Sequence, residues 1–254
     1  MNTSNTSQQE KPTHASKQDL DTPALEALHL SKIVTSPEGM LTILDDLSMR
    51  VEHGERVAIV GVSGAGKSTL LGILAGLDLP TSGKVWLGGH ELTVLDEDGR
   101  AALRADKVGF VFQSFHLIPS LTALENVMLP LELTNHDNPR EAAGAALGSV
   151  GLSGRAGHYP KQLSGGEKQR VAIARAYVTQ PTVLFADEPT GNLDQQSGDA
   201  VINILFRMNR EQGTTLILVS HDLNLARRCD RVIEMSAGRI LGADTEAAIQ
   251  EVAE

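Results

Sequence analysis

The chain has 254 residues and a formal charge of −10, from 22 Lys and Arg against 32 Asp and Glu. That acidity argues against a general nucleic-acid binder, which needs cations to displace counterions from phosphates. Only 3% of residues are aromatic, so few platforms exist for stacking bases. No apolar run is long enough to span a membrane, and the start lacks the basic-then-apolar pattern of a secretory signal. The single cysteine, Cys229, cannot form an intrachain disulfide, which fits a reducing cytoplasm.

Residues 1–22 are rich in Ser, Thr, Asn and Gln and poor in large apolar side chains, the composition of a disordered tail. Globular composition begins at Leu25. A turn at His53–Gly54 joins two apolar runs and predicts a hairpin or strand pair. The second run, Val57–Val60, is continuously apolar, as a strand buried on both faces should be. Lys67–Leu77 has a helical pattern, Val85–Leu87 reads as an antiparallel addition, and Val108–Phe112 is another buried strand. From Ser114 to Gln169 no such strand run occurs. Leu121–Leu133 and Glu141–Leu152 are instead rich in Leu, Ala and Glu, which predicts a helical insertion. Beyond it come a helix at Glu167–Tyr177, a strand at Val183–Ala186, a helix at Ser197–Met208 and a strand at Leu216–Val219. Val232–Met235, turning through Ala237–Gly238 to Arg239–Leu241, reads as a further antiparallel addition. The alternation predicts an α/β fold with a mostly parallel sheet. Its core would be discontinuous, about 25–113 and 170–241, with a helical subdomain over about 114–169, all within one domain from 23 to 254.

The sharpest local signal is Gly61-Val-Ser63-Gly64-Ala65-Gly66-Lys67-Ser68-Thr69, which matches G-x-x-x-x-G-K-[ST] between a buried strand and a helix. Its glycines let successive N–H groups curl toward one anion, and the helix N-terminus adds positive potential. In such a loop Lys67 bridges the β- and γ-phosphates of ATP and the Ser68 hydroxyl ligates Mg²⁺. The core is therefore expected to be a P-loop NTPase.

Other candidates sit at strand ends, where open α/β sheets bind ligands. Asp187 suits the Mg²⁺ shell, and Glu188 suits orienting the attacking water. The bland alternative makes both carboxylates turn residues before Pro189. Gln113 could touch Mg²⁺ or water and act as a hinge to the insertion, or be an exposed loop glutamine. His221 could donate to the γ-phosphate, or simply precede a helix capped by Asp222. Asp194 reads as a helix N-cap, which is compatible with a role near nucleotide.

A second anion-binding start is Leu163-Ser164-Gly165-Gly166-Glu167. Ser164 and Glu167 satisfy a capping box, so a well-capped helix explains them. Gly165–Gly166 additionally clears side chains from the helix N-terminus, so a second phosphate could approach. Two phosphate-facing helix starts in one chain predict a head-to-tail homodimer in which each copy's first loop faces the other's second.

Taken together and in order, these motifs make the chain resemble the nucleotide-binding subunits of ABC transporters over roughly Leu25–Leu241. Leu71–Asp78, Val108–Phe115, Ala123–Val127 and Asp187–Asp194 are similar to the group containing LolD, MacB and FtsE, and to its YbbA-like branch. The resemblance implies that Gln113 and the start of the insertion receive a coupling helix from a permease on another chain. It implies that Ser164, Gly165 and Gly166 contact ATP held by the other copy, on the inner face of the cell membrane. Many relatives stack an aromatic on adenine where Val34 stands here, and valine offers no π face. An FtsE-like regulatory switch that transports nothing is the alternative function. A soluble member working on DNA or ribosomes is disfavoured by the single cassette, the lack of a heptad insertion and the negative charge.

Overall fold

The computed structural model describes residues 22–37 and 39–241; the Ser- and Thr-rich segment 1–21 and residues 242–254 lie outside the described residues. Two sheets organise the described residues. The smaller is antiparallel, in the order β2-β1-β4-β5, from β1 (Leu25–Ser36), β2 (Gly39–Val51), β4 (Ser82–Leu87) and β5 (His90–Glu91). The larger has the order β10-β9-β3-β8-β7-β6, from β3 (Arg56–Gly61), β6 (Val108–Phe112), β7 (Val183–Asp187), β8 (Thr215–Val219), β9 (Arg231–Ser236) and β10 (Arg239–Leu241). All its neighbours pair in parallel except β10 with β9.

The inner parallel strands β3, β7 and β8 are apolar through their centres because both faces are covered, whereas β9 exposes Val232 and Glu234. Alternate residues divide between two cores. Val57, Ile59, Val183, Phe185, Ile217 and Val219 face the antiparallel sheet and helix α1 (Lys67–Leu74). Leu184, Ala186, Leu216 and Leu218 face α5 (Gly165–Tyr177) and α6 (Gln195–Gln212). That is the period-two alternation of a strand, with neither side facing water.

Two expectations change. The turn at His53–Gly54 joins β2 to β3, but they do not form a hairpin: β2 pairs with β1, while β8 and β9 occupy both edges of β3. The turn therefore carries the chain from one sheet to the other. Likewise β9 is not itself an antiparallel addition. It extends the parallel sheet beside β3, and only β10 returns antiparallel to it.

Between β6 and β7 lie α3 (Ala123–Leu133), α4 (Pro139–Ser149) and α5, which pack on one another. A capping box of Thr122 and Glu125 starts α3. The buried amide of Asn126 donates to the carbonyls of Ile118, Leu121 and Thr122 and so folds the preceding loop onto it. Helix α2 (Glu97–Lys107) is surface-amphipathic. Asp96 caps it, Glu97 and Asp98 lie in its first turn, and Arg104 and Lys107 lie in its last, each matched to the helix dipole. Helix α1 ends at Leu74, short of Leu77, and Gly76 follows in a left-handed conformation.

Candidate functional site

The loop Gly61–Thr69 leaves β3 and enters α1 with Gly66 as N-cap, at φ 95°. Gly61, at φ 151°, is fixed by space as well as by conformation, since a Cβ there would collide with the Met235 carbonyl. A Cβ on Gly66 would sit 2.8 Å from the Ile43 carbonyl. The β9–β10 turn staples the loop from outside: Gly238 N donates to Ala65 O at 3.2 Å, and Asp45 N donates to Gly238 O at 3.1 Å. The loop is thus held rigidly by backbone contacts, as a preorganised anion cradle requires. Lys67 Nζ donates to the carbonyls of Gly61 and Val62 at 2.8 and 2.9 Å, which keeps its charge over the loop.

Two strand ends bring side chains to this loop. From β7, Asp187 Oδ2 accepts from Ser68 Oγ at 3.3 Å. Burial pushes the Asp187 carboxyl above the usual range; the Ser68 hydrogen bond opposes that, and neighbouring Glu188 adds to it. A hydroxyl beside a half-buried carboxylate that resists ionisation is a donor pair a divalent cation would satisfy. Among the described residues no cluster of three or more His, Cys, Asp or Glu could hold a metal alone. Such a cation would therefore need phosphate oxygens or water besides these two ligands.

Glu188 adopts φ 45°, a left-handed conformation rare for a residue with a Cβ. Two hydrogen bonds hold it there: its N–H donates to Val219 O of β8, and its carbonyl accepts from Gly191 N, both at 3.0 Å. Its Oε2 lies 3.4 Å from Nδ1 of His221, which follows β8. Glu188, His221, Lys67, Ser68 and the loop glycines line one cavity of about 480 Å³. Ile43 of β2 supplies an apolar wall to the same cavity, which no motif announces. Val34 is not among its lining residues; it stands opposite Leu41 in the β1–β2 pair.

Six expected site residues do not line that cavity: Asp187, bonded to the lining residue Ser68, and Gln113, Asp194, Ser164, Gly165 and Gly166. The Gln113 amide donates to Asn192 Oδ1 at 3.4 Å, and Asn192 Nδ2 donates back to the Gln113 carbonyl at 3.1 Å. Asp194 caps α6, accepting from Ser197 N at 3.0 Å, and this bond lowers its pKa. Ser164 caps α5 in a full capping box with Glu167. Arg155 and then the Ser164 backbone hold the Glu167 carboxyl down to about 2. Gly165 and Gly166 follow in α5, and Cβ atoms on them would sit 3.3 Å from Leu193 and 3.1 Å from Ser197 respectively. Their smallness therefore serves packing within this chain, a reason the sequence did not disclose.

The family model described as ABC transporter matches residues 44–191, from β2 past the β7 carboxylates. The chain belongs to the ABC transporter family. It is 56% identical over 218 residues to the ABC transporter ATP-binding protein YbbA of Escherichia coli K12, covering 85% of this chain and 96% of YbbA. It is 50% identical over 220 residues to the lipoprotein-releasing system ATP-binding protein LolD of Bordetella avium, covering 86% and 96%. Among solved structures, the ATP-binding cassette MJ0796, as a dimer in a post-hydrolysis state with ADP and Pi, matches with a TM-score of 0.79. That match has 40% identity over 86% of this chain and 97% of the cassette. The present cassette is accordingly an ATP-binding and ATP-hydrolysing subunit of the ABC type. No described helix is long and apolar enough to cross a membrane.

Proposed function

We propose that this ABC ATPase binds MgATP in the Gly61–Thr69 cavity and hydrolyses it between two head-to-tail copies, driving a permease carried on a separate chain. Residues 23–254 act as one ABC ATPase domain, with residues 114–169 as its helical subdomain, at the cytoplasmic face of the membrane. The observation that carries this is the split between two anion-binding starts. The first loop shares its cavity with Glu188 and His221, and Asp187 reaches the loop through Ser68, whereas Ser164, Gly165, Gly166 and Asp194 line none of it. A second copy supplies those groups most simply.

Within each site, Gly61, Ser63, Gly64, Ala65, Gly66 and Thr69 shape the cradle, and Lys67 meets the terminal phosphates. Ser68, Asp187 and, after release from Asn192, Gln113 would hold Mg²⁺, which when bound neutralises charge developing on the phosphates. Glu188 accepts a hydrogen bond from the attacking water and turns its lone pair toward the γ-phosphorus. His221, already beside Glu188, orients that carboxylate and donates to the γ-phosphate. Ile43 packs on the base, whereas Val34 lies outside the cavity lining. ATP turnover measured for Glu188→Gln tests the assignment: MgATP binding persists while hydrolysis collapses. Turnover near wild type would remove Glu188 from that role.

A further inference from the structure

Helix α5 carries a buried polar side chain that none of these steps uses. Gln169 is fully buried, one turn beyond the Gly165–Gly166 start of the helix. Its Nε2 donates to the Pro189 carbonyl at 2.7 Å and to the Phe112 carbonyl at 3.3 Å. One amide thus joins the C-terminal ends of two neighbouring strands, β6 and β7. Phe112 immediately precedes Gln113, and Pro189 immediately follows Glu188.

The other half of the amide is anomalous. Gln169 Oε1 is buried without a hydrogen-bond partner among the described residues. An orphaned acceptor in the core is costly, and a methionine or leucine of similar size would avoid it. Apolar filling therefore does not account for a glutamine here, whereas its two donors do. The amide cannot be reversed, because Oε1 would then face two carbonyl oxygens.

The donors fall at a sensitive place. Glu188 is anchored on one side by its N–H to β8. The next carbonyl along the chain, that of Pro189, is anchored to α5 by Gln169. The left-handed backbone at Glu188 is thus bracketed by a strand and by the helix that begins at Ser164.

We propose that Gln169 is a positioning residue whose amide ties the setting of α5 to the placement of the Glu188 carboxylate and the Gln113 hinge. Any shift of α5 on meeting a partner's nucleotide is passed to Glu188 through the Pro189 peptide, so water activation in one site responds to occupancy of the other. The proposal rests on the assignment of Glu188 as the water-orienting base.

The test is a double-mutant cycle on the full-length ATPase with Gln169→Met and Glu188→Gln, read by single-turnover hydrolysis of radiolabelled ATP. Gln169→Met keeps the bulk and removes the donors. It should lower kcat by about tenfold or more, as slight misplacement of a catalytic group does, while KM, binding of a fluorescent ATP analogue and Tm stay near wild type. In the Glu188→Gln background the same change should cost little further, because it acts through the missing carboxylate. Full additivity of the two losses, or a kcat unchanged by Gln169→Met, would overturn the proposal. Glu188→Gln with normal turnover would instead sink the assignment beneath it. If Gln169→Met does not fold, Gln169→Glu, isosteric but turning an acceptor toward both carbonyls, takes its place with the same criteria.

Discussion

At the residue scale, the division of tasks proposed for two adjacent carboxylates follows from their different surroundings. Asp187 is tied to Ser68 and half-buried; Glu188 points into the cavity beside His221. Glu188→Gln should keep nucleotide binding but lose turnover by about 10²-fold or more, since the amide cannot act as a base. Lys67→Ala should instead weaken binding itself, which titration of a fluorescent ATP analogue would separate from turnover. The raised pKa of Asp187 gives a stability prediction with a definite sign. With its folded pKa above the unfolded value, its contribution to stability is full below about pH 4 and is lost as pH rises through the folded pKa. At neutral pH the nucleotide-free protein therefore carries a strained charge. Asp187→Asn should raise the Tm of that form at pH 7, converge with wild type in acid, and weaken MgATP binding. A lower Tm at pH 7 would show that the carboxylate stabilises the fold.

At the scale of elements, the start of α5 is a stability device as well as a candidate nucleotide contact. The Ser164 cap and the Glu167 carboxylate with Arg155 satisfy helix donors that would otherwise be orphaned. Ser164→Ala should cost about 1 kcal/mol by chemical denaturation. Glu167, whose pKa is lowered to about 2, contributes stability above its unfolded value and loses it as pH falls toward 2. Glu167→Ala should thus lower Tm at pH 7, with the gap from wild type narrowing below about pH 4.5. A gap independent of pH would assign the effect to packing. Gly66→Ala should damage the phosphate loop more than Gly64→Ala. Both glycines have positive φ, but only at Gly66 would a methyl group meet backbone and the Leu44 side chain. Nucleotide affinity of the two variants decides this.

The same elements show what a sequence discloses. Strands β3, β7 and β8 were legible because their alternate side chains enter apolar cores on both faces of the sheet, so their central positions are all apolar. Strands β1 and β2 carry no such run. The outer half of β2 is exposed, and register shifts interrupt their pairing. The hairpin expected at His53–Gly54 was wrong because a local turn signal says nothing of which sheet edge is free. The site divides in the same way. Lys67, Ser68, Asp187, Glu188 and His221 lie in short motifs at strand ends and could be picked out one by one. Ile43 and Gln169 could not. The first is an ordinary strand residue, and the second acquires meaning only from carbonyls 57 and 20 residues away.

At the scale of the whole molecule, the negative charge and the absence of a spanning helix among the described residues take on narrower meanings. Net acidity discourages broad binding of polyanions, yet the rigid loop, Lys67 and the α1 N-terminus create a local positive site for one triphosphate. Each copy presents a cavity lined by Glu188 and His221 and, elsewhere, a capped Gly–Gly helix start that lines none of that cavity. The central claim is that the second belongs to another copy's nucleotide. Size-exclusion chromatography with light scattering on Glu188→Gln, with and without saturating MgATP, tests it most directly. The account predicts conversion from the 27.1 kDa chain to a species of twice that mass only when MgATP is present. A strict monomer under saturating MgATP would contradict it.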